Sequence, residues 1–257
     1  MNPSTVTPFL QEKCHIDKIY IDDNDFIEIA VPNYRKDIGT MVSGGVDSAL
    51  VAYLLAYTVK KYNTGTKIFP ITTEFMARPC NIKGAYNVLR TIENLLDMQF
   101  GQHLIFPTPN HLEDVTDEDK KRLFSLNIDE YRSRYHLLFI GNGLTANPPI
   151  EEVPDTNFVR QVERDDREQV LKKLNQKTTQ FPLLFSDKKA VGKLYKKLGL
   201  IDTLFPVTRS CEAETEESKN HTLTCFDFKP KGDECWWCRE RAYGFQEYKP
   251  ELFNGYN

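Results

Sequence analysis

The chain has 257 residues, of which 40% are hydrophobic and 27% are charged, and its formal net charge is −4. This length fits one large α/β domain or a domain with an appendage, and it needs no disulfides to build a core. The near-neutral charge argues against a protein whose main task is to hold nucleic acid through its phosphates, but it leaves a local basic groove, and hence tRNA, open as a partner.

The sequence contains no membrane or secretion signal that can be recognised. No stretch approaches the roughly 20 consecutive apolar residues of a membrane helix, and Met1–Thr5 do not begin a basic segment with an apolar core behind it. A cytoplasmic protein is therefore expected, in which clustered cysteines are metal ligands or redox groups rather than disulfides. The oligomeric state stays open, and a homodimer is one option.

Residues 1–36 form a predicted N-terminal extension. They contain two strand-like runs, Lys18–Ile21 and Phe26–Val31. The polar residues Asp22–Asp25 between these runs predict a hairpin turn.

Residues 37–206 alternate short apolar runs with longer helical stretches. The predicted elements are, in order, Ile38–Val42 (strand), Ala49–Tyr62 (helix), Lys67–Thr73 (strand), Ile82–Leu96 (helix), His103–Phe106 (strand) and His136–Ile140 (strand). Strands of about five residues between longer helices predict an α/β fold with a mostly parallel sheet and helices on both faces.

Two helices are predicted nearer the C-terminus. Residues 165–177 predict a charged helix. Ser186 or Asp187 is a candidate N-cap for a second helix, Lys188–Leu198, and Gly199 is placed to end it.

The residues with the most explicit chemistry are Ser43-Gly44-Gly45-Val46-Asp47-Ser48, which lie between a predicted strand and a predicted helix. Glycines let the backbone approach an anion, and the N–H groups at a helix N-terminus bind phosphate. Ser43 and Ser48 can donate hydroxyl hydrogen bonds to phosphate oxygens, while Asp47 is suited to hold Mg²⁺ or to order the loop. The lysine of a Walker A loop is absent before Ser48. A plain helix N-terminal turn is the alternative, and the full string after a strand favours the phosphate site.

Residues 207–257 form a predicted C-terminal segment that contains four of the six cysteines, namely Cys211, Cys225, Cys235 and Cys238. Four thiolates suit a tetrahedral structural Zn²⁺ site, and His221 could replace one of them. The alternatives are unrelated cysteines or a redox-active pair formed by Cys235 and Cys238.

The string Ser43–Ser48 resembles the loop of the PP-loop ATP pyrophosphatases, a superfamily similar to the adenine nucleotide alpha hydrolases. The resemblance implies a HUP-like fold and an enzyme that adenylates an acceptor oxygen with ATP, releases pyrophosphate, and lets ammonia or sulfur displace the adenylate. It implies that Ser43, Gly44, Gly45, Val46, Asp47 and Ser48 bind ATP with Mg²⁺, and that Asp47 and Ser48 take part in catalysis. Thr73 lies at a strand end where family members contact adenine or magnesium.

Further matches narrow the resemblance to 7-cyano-7-deazaguanine synthase. They are Pro182–Lys189, Leu198–Leu200, Thr208–Cys211, Cys235–Arg239 and Gly244-Phe245. They imply that the four C-terminal cysteines hold zinc and that Lys188 reaches the ATP phosphates. Gly141 and Asn142 match a ligand-binding turn of that family.

The expected activity is therefore that of an ATP-dependent C–N ligase of the queuosine pathway, which converts a carboxydeazaguanine into the nitrile with ammonia. The chain departs from this family after Gly143, where Leu144–Glu152 replace a Tyr-Pro-Asp-Cys-Arg segment that helps to hold the deazapurine. The loop therefore predicts the use of ATP, whereas the acceptor is left open.

Two other functions are compatible with the sequence. A tRNA-thiolating PP-loop enzyme would need an essential Cys80 or a redox-active pair formed by Cys235 and Cys238. A binding module that keeps the loop without turnover is the third hypothesis. Lys188 could also be a solvated lysine of a basic helix, and Cys80 a buried structural cysteine.

Overall fold

The computed structural model describes residues 4–74, 80–107, 128–153, 164–174, 178–209 and 236–253. The strands are β1 (Cys14–Tyr20), β2 (Phe26–Pro32), β3 (Ile38–Met41), β4 (Ile68–Glu74), β5 (Leu104–Pro107), β6 (Ile140–Gly141) and β7 (Thr179–Gln180). The helices are α1 (Pro8–Lys13), α2 (Val46–Tyr62), α3 (Cys80–Leu96), α4 (Arg167–Leu174), α5 (Lys188–Lys197) and α6 (Trp236–Phe245). Residues 128–134 are also helical.

Five strands form a parallel sheet in the order β5-β4-β3-β6-β7. The chain adds β4 and β5 on one side of β3 and then crosses back to add β6 and β7 on the other side. The gap between the carboxyl ends of β3 and β6 is therefore the topological switch point, where open α/β sheets bind their ligands. The predicted α/β fold with a mostly parallel sheet is confirmed.

Helix α2 follows β3 directly and is the central helix of the fold. Most of its residues are buried, including Val46 at its first position and Val59 near its end. A helix that is apolar on nearly all sides is buried on nearly all sides, and α2 contacts β2, β3, α3 and α5. This packing holds the start of α2 firmly against the switch point.

The predicted N-terminal hairpin is confirmed, since β1 and β2 pair antiparallel from Cys14 with Pro32 to Tyr20 with Phe26. The Gln180 side chain on β7 connects this hairpin to the main sheet. Gln180 accepts a hydrogen bond from the Ala30 amide at 3.3 Å and donates one to the Glu28 carbonyl at 3.1 Å. Short helix α1 before the hairpin was not predicted. The proposed boundaries at 36 and 206 stay predictions.

The predicted strand His136–Ile140 is too long. His136 has a left-handed backbone with φ of +52°, and the Leu137 amide donates to the Arg132 carbonyl at 2.9 Å, so the preceding helix ends here. Only Ile140–Gly141 are strand. A short apolar run cannot distinguish a strand from a buried connection, because burial alone explains its composition.

The predicted helix after residue 187 is confirmed. Asp187 caps it by accepting a hydrogen bond from the Ala190 amide at 2.9 Å, and Gly199 after it has a φ of +70°. The charged helix predicted at 165–177 is α4, described from Arg167 to Leu174. Strand β7 and helix α6 were missed. None of the helices in the described ranges is long and apolar enough to cross a membrane.

Candidate functional site

The phosphate loop, Ser43–Ser48, connects β3 to α2 at the switch point. Gly45 is the N-cap of α2 and has no side chain, so no side chain caps the first amides of this helix. Ser48 Oγ donates to the Gly45 carbonyl at 3.1 Å and accepts from the Ser43 amide at 3.2 Å. Because that hydroxyl hydrogen is used, Ser43 Oγ donates to Ser48 Oγ, also at 3.2 Å. The loop thus combines two hydroxyl groups with a helix N-terminus that no side chain caps, and this arrangement is suited to bind an anion.

Gly44 brings a second helix to the loop. Its φ is +84°, and a Cβ there would lie 2.8 Å from backbone atoms of Gly84 in α3. The Gly44 carbonyl accepts a hydrogen bond from the Arg209 amide at 2.7 Å. The loop is therefore held between the first turns of α3 and the backbone of Arg209, and a side chain at position 44 would push α3 away.

The turn after β6 closes against the same loop. A Cβ on Gly143 would lie 2.6 Å from the Ser48 amide nitrogen. Asn142 Oδ1 accepts from the Leu144 amide at 3.0 Å, and the Asn142 amide donates to the Gln180 carbonyl at 2.9 Å. Gly141 is the last residue of β6. The structure therefore places Gly141 beside Thr40 of β3, and the turn that follows it contacts the phosphate loop through Gly143.

Lys188 and Asp47 form an ion pair across the switch point. The Lys188 side chain is only 4% exposed, whereas that of Asp47 is 21% exposed. Burial raises the pKa of the Asp47 carboxyl, the Lys188 ammonium opposes this rise, and the charge of Glu240 adds to it. Of the three predicted catalytic residues, Asp47 and Ser48 belong to the loop, and the structure brings Lys188 to Asp47; Lys188 is not a solvated lysine.

Asp47 Oδ1 is buried and has no hydrogen-bond partner among the described residues. A buried carboxylate oxygen without a donor is costly unless a donor or a cation completes it. Carboxylate oxygens are the ligands that Mg²⁺ takes beside phosphates. Asp47 therefore fits the magnesium role expected of it.

Glu240 and Arg164 extend the ion pair into a buried network. Glu240 Oε2 lies 3.5 Å from Lys188 Nζ, and its other oxygen accepts from Arg164 Nη2 at 2.7 Å. Arg164 Nε also donates to the Thr145 carbonyl at 2.9 Å. The sequence analysis missed both residues, because they lie 76 positions apart and no local pattern marks either of them.

Strand β4 adds polar groups beside the loop. Thr72 Oγ1 donates to the carbonyl of Val42, the residue before the loop, at 2.6 Å. His103 Nε2 lies 2.7 Å from the same hydroxyl, so its N–H is the donor. Burial lowers the pKa of His103. Thr73 Oγ1 is buried without a partner in the described part of the chain, which leaves it available to a ligand at the sheet edge.

Two adjoining clefts lie beside the N-terminus of α5. The larger, about 400 Å³, is lined by Asn147, Pro149, Ser186 and Asp187 among others. The other, about 250 Å³, lies against the N-terminal hairpin and shares Phe185 and Ser186 with the first. Neither lining includes the phosphate loop or Lys188.

The predicted zinc site falls largely outside the described residues. Cys211, Cys225 and Cys235, together with His221, lie in the range 210–235. Cys238 is described and lies in the first turn of α6, half-buried. In the described ranges, no group of three or more His, Cys, Asp or Glu residues is arranged to hold a metal ion.

Comparisons with known proteins give overall likenesses only. No protein-family model matches the chain, and no curated protein matches it. Among solved structures, the U34-tRNA thiolase NcsA from Methanococcus maripaludis with its 4Fe-4S cluster is 15% identical, covers 86% of this chain and 73% of its own, and has a TM-score of 0.45. The NAD+ synthetase from Burkholderia pseudomallei is 13% identical, covers 85% and 83%, and has a TM-score of 0.38.

Proposed function

We propose that this chain is a PP-loop ATP pyrophosphatase, an enzyme that transfers AMP from ATP to an acceptor oxygen and releases pyrophosphate. The observation that carries the proposal is the Asp47–Lys188 pair, which lies at the uncapped N-terminus of α2 and at the switch point of a parallel sheet. A desolvated carboxylate and a buried ammonium at an anion-binding helix terminus suit a magnesium–nucleotide complex.

The residues of the phosphate loop bind the pyrophosphate part of ATP. The backbone amides after Gly44 donate to phosphate oxygens, and the N-terminal partial charge of α2 favours the anion. The hydroxyls of Ser43 and Ser48 exchange their hydrogen bonds within the loop for bonds to the phosphate. Asp47 holds Mg²⁺ through the oxygen that has no donor. When bound, Mg²⁺ neutralises charge that develops on the phosphates.

Lys188 supplies the second positive charge. Its ammonium is paired with Asp47 in the structure, and its remaining N–H groups donate to the phosphates once Asp47 shares its charge with the cation. A fixed cation near the leaving pyrophosphate stabilises the transition state more than the ground state. Thr73, Gly141 and Asn142 lie at the same sheet edge and contact the rest of the nucleotide.

The finer activity is that of a C–N ligase in which ammonia displaces AMP from the adenylated acceptor, as in 7-cyano-7-deazaguanine synthase. Residues 146–149, within the segment that departs from that family, line the cleft of about 400 Å³. Asn147 and Phe185 give this cleft a polar and an aromatic wall, which suits a small planar heterocycle. We place the acceptor there.

The C-terminal segment belongs to the proposal as a structural zinc site formed by Cys211, Cys225, Cys235 and Cys238. Four thiolates bind zinc in a closed site that contributes to folding rather than to chemistry. Cys238 lies in α6, two residues before Glu240, so the proposed site would include the first turn of the helix that carries Glu240.

The test is an assay for AMP and pyrophosphate with ATP, Mg²⁺ and ammonium, with and without the carboxydeazaguanine. AMP that depends on this acceptor supports the ligase. A Lys188→Met variant should lower turnover about a hundredfold. Lys189→Met is the matched control, because Lys189 pairs with Glu152 at the surface and should leave turnover unchanged. ATP binding without AMP under any condition would leave only a nucleotide-binding module.

A tRNA-thiolating enzyme is the second candidate, and the position of Cys80 favours it. Cys80 begins α3, one helical turn before Gly84, whose backbone contacts Gly44 of the loop. Sulfur transfer to an adenylated base needs a nucleophilic thiol, and a cysteine is the residue that supplies one. This candidate predicts AMP formation that requires tRNA and is lost in Cys80→Ser. AMP formation in Cys80→Ser at the wild-type rate would exclude it.

A further inference from the structure

We infer that Glu240, fixed by Arg164, is a positioning residue that keeps the Lys188 ammonium at the phosphate loop while Asp47 binds the metal–nucleotide complex. The inference rests on the proposed function for the roles of Asp47 and Lys188. Glu240 pairs with Lys188 and Arg164, so it acts through the lysine.

The charges of the network alternate and cancel. Asp47, Lys188, Glu240 and Arg164 follow one another as negative, positive, negative and positive groups. The side chains of Lys188, Glu240 and Arg164 are 4%, 3% and 6% exposed. Buried charges persist only when they are paired, because water no longer solvates them. Each internal member of this series has a partner on both sides.

The second partner matters when the nucleotide binds. Once Mg²⁺ binds Asp47 Oδ1 and shares the charge of this carboxylate, Asp47 is a weaker partner for Lys188, and the buried ammonium needs a second counter-charge. Glu240 at 3.5 Å supplies this counter-charge. The lysine can therefore stay in its buried position and present its remaining N–H donors to the phosphates.

Glu240 is itself held rigidly. Arg164 donates to Glu240 Oε1 at 2.7 Å, to Thr145 Oγ1 at 2.8 Å and to the Ala146 carbonyl at 3.0 Å. Its guanidinium also lies 5.5 Å from the Trp236 ring centroid, and Trp236 is fully buried. A carboxylate whose position is set by such an arginine offers Lys188 a fixed counter-charge.

The packing of α6 on α5 sets the approach of Glu240 to Lys188. Gly192 and Gly244 meet where the two helices cross: a Cβ on Gly244 would lie 2.8 Å from the Lys188 carbonyl carbon. Gly192 is four residues after Lys188, and Gly244 is four residues after Glu240, so each glycine shares a helix face with its charged residue. The close crossing places the two charged side chains together.

The experiment is a double-mutant cycle on the affinity for Mg·ATP, measured by isothermal titration calorimetry. Glu240→Asp keeps the charge but shortens the side chain, so it tests position rather than charge. We expect it to weaken binding about fivefold or more in the wild-type background, and less than about twofold in a Lys188→Met background. An equal loss in both backgrounds, or no loss in the first, overturns the inference.

Glu152→Asp is the matched control. Glu152 pairs with Lys189, which lies next to Lys188 in α5 but at the surface. The Lys189 side chain is 47% exposed and that of Glu152 is 46% exposed. Its shortening should leave the affinity for Mg·ATP unchanged, and a loss as large as that of Glu240→Asp would count against a specific role. If Glu240→Asp does not fold, Arg164→Lys tests the same coupling with the charge kept.

The two failures are distinguishable. A wild-type protein that binds Mg·ATP but forms no AMP contradicts the proposed reaction, and the cycle still decides the role of Glu240. A wild-type protein that does not bind Mg·ATP overturns both.

Discussion

The two carboxylate oxygens of Asp47 have different surroundings. One carboxylate oxygen pairs with Lys188, and the other is buried without a donor among the described residues. Burial raises the pKa of this carboxyl, and the Lys188 charge counteracts the rise. The protein thus keeps a poorly solvated carboxylate at the N-terminus of α2, where a divalent cation can complete its coordination.

Replacement of this carboxylate tests the metal role. An Asp47→Asn variant keeps the shape of the side chain but removes the charge that is proposed to hold Mg²⁺. We expect AMP formation to fall about a hundredfold or more, while the far-ultraviolet circular dichroism spectrum stays that of the wild type. Turnover at the wild-type rate would contradict the role given to Asp47.

Gly143 makes the closest backbone approach to the phosphate loop. In a Gly143→Ala variant, the new methyl group would lie 2.6 Å from the Ser48 amide nitrogen, so the loop must shift. We expect a loss of about 1–3 kcal/mol in the free energy of unfolding and a weaker affinity for Mg·ATP. Denaturant unfolding and calorimetry measure the two effects, and unchanged affinity would show that the turn does not shape the site.

His103 gives the fold a pH dependence. Burial lowers its pKa below the ordinary value of 6.5, so the unfolded chain binds a proton more readily than the folded one. The stability that this histidine contributes is complete above about pH 6.5 and is lost as the pH falls below it. Between about pH 7 and about pH 5.5, a His103→Gln variant should lose less unfolding free energy than the wild type. Equal losses would contradict this assignment.

At the scale of elements, the crossing of α5 and α6 connects the C-terminal part of the chain to the site. Tyr195 and Phe245 contact edge to face at 5.3 Å, and Phe205 stacks on Phe245 at 4.4 Å. The Arg241 guanidinium donates to the Thr208 carbonyl at 3.2 Å, next to the residue whose amide holds Gly44. Helix α6 thus supports both Lys188 and the loop.

A methyl group at the crossing should separate the two helices. We expect Gly244→Ala to cost about 2 kcal/mol or more in unfolding free energy and to lower turnover, because α6 meets backbone at this point. Gly199→Ala is the control: apart from its chain neighbours, no atom of the described residues lies within 4 Å of a Cβ built there, and its φ of +70° sets the cost. The control should lose about 1 kcal/mol without a loss of turnover, and an equal loss of turnover in both variants would contradict this account.

At the scale of the whole molecule, the sheet order decides where the site is. Strands β3 and β6 are neighbours although about a hundred residues separate them, and their carboxyl ends provide the loop and the Gly143 turn. The chain then returns through α5 and α6 to deliver Lys188 and Glu240 to the same point. Four separate parts of the chain therefore meet at one edge of the sheet, as a multi-group site requires.

The C-terminal cysteines supply a whole-molecule prediction. We expect about one zinc per chain by elemental analysis. A Cys235→Ser/Cys238→Ser variant should lose this metal and unfold at a lower temperature, since structural zinc contributes folding energy. Full retention of zinc in that variant would overturn the ligand assignment, and iron in place of zinc would favour a redox role.

The sequence by itself determined the features that depend on neighbouring residues. The strand, the two glycines and the buried helix around Ser43–Ser48 have a local pattern, and so does the cap at Asp187 with its stop at Gly199. These elements appear where the pattern placed them, because turns, caps and periodicity are set within a few residues. The shortened β6 shows the limit of such patterns, since buried connections and strands share a composition.

Only the tertiary structure decided which of these elements meet. The ion pair of Asp47 with Lys188 joins residues 141 positions apart, and that of Glu240 with Arg164 joins residues 76 positions apart. Such contacts depend on the order of strands in the sheet and on the crossing of two helices at a pair of glycines. Neither the strand order nor the helix crossing produces a local sequence pattern, because the residues that come into contact are far apart in the chain.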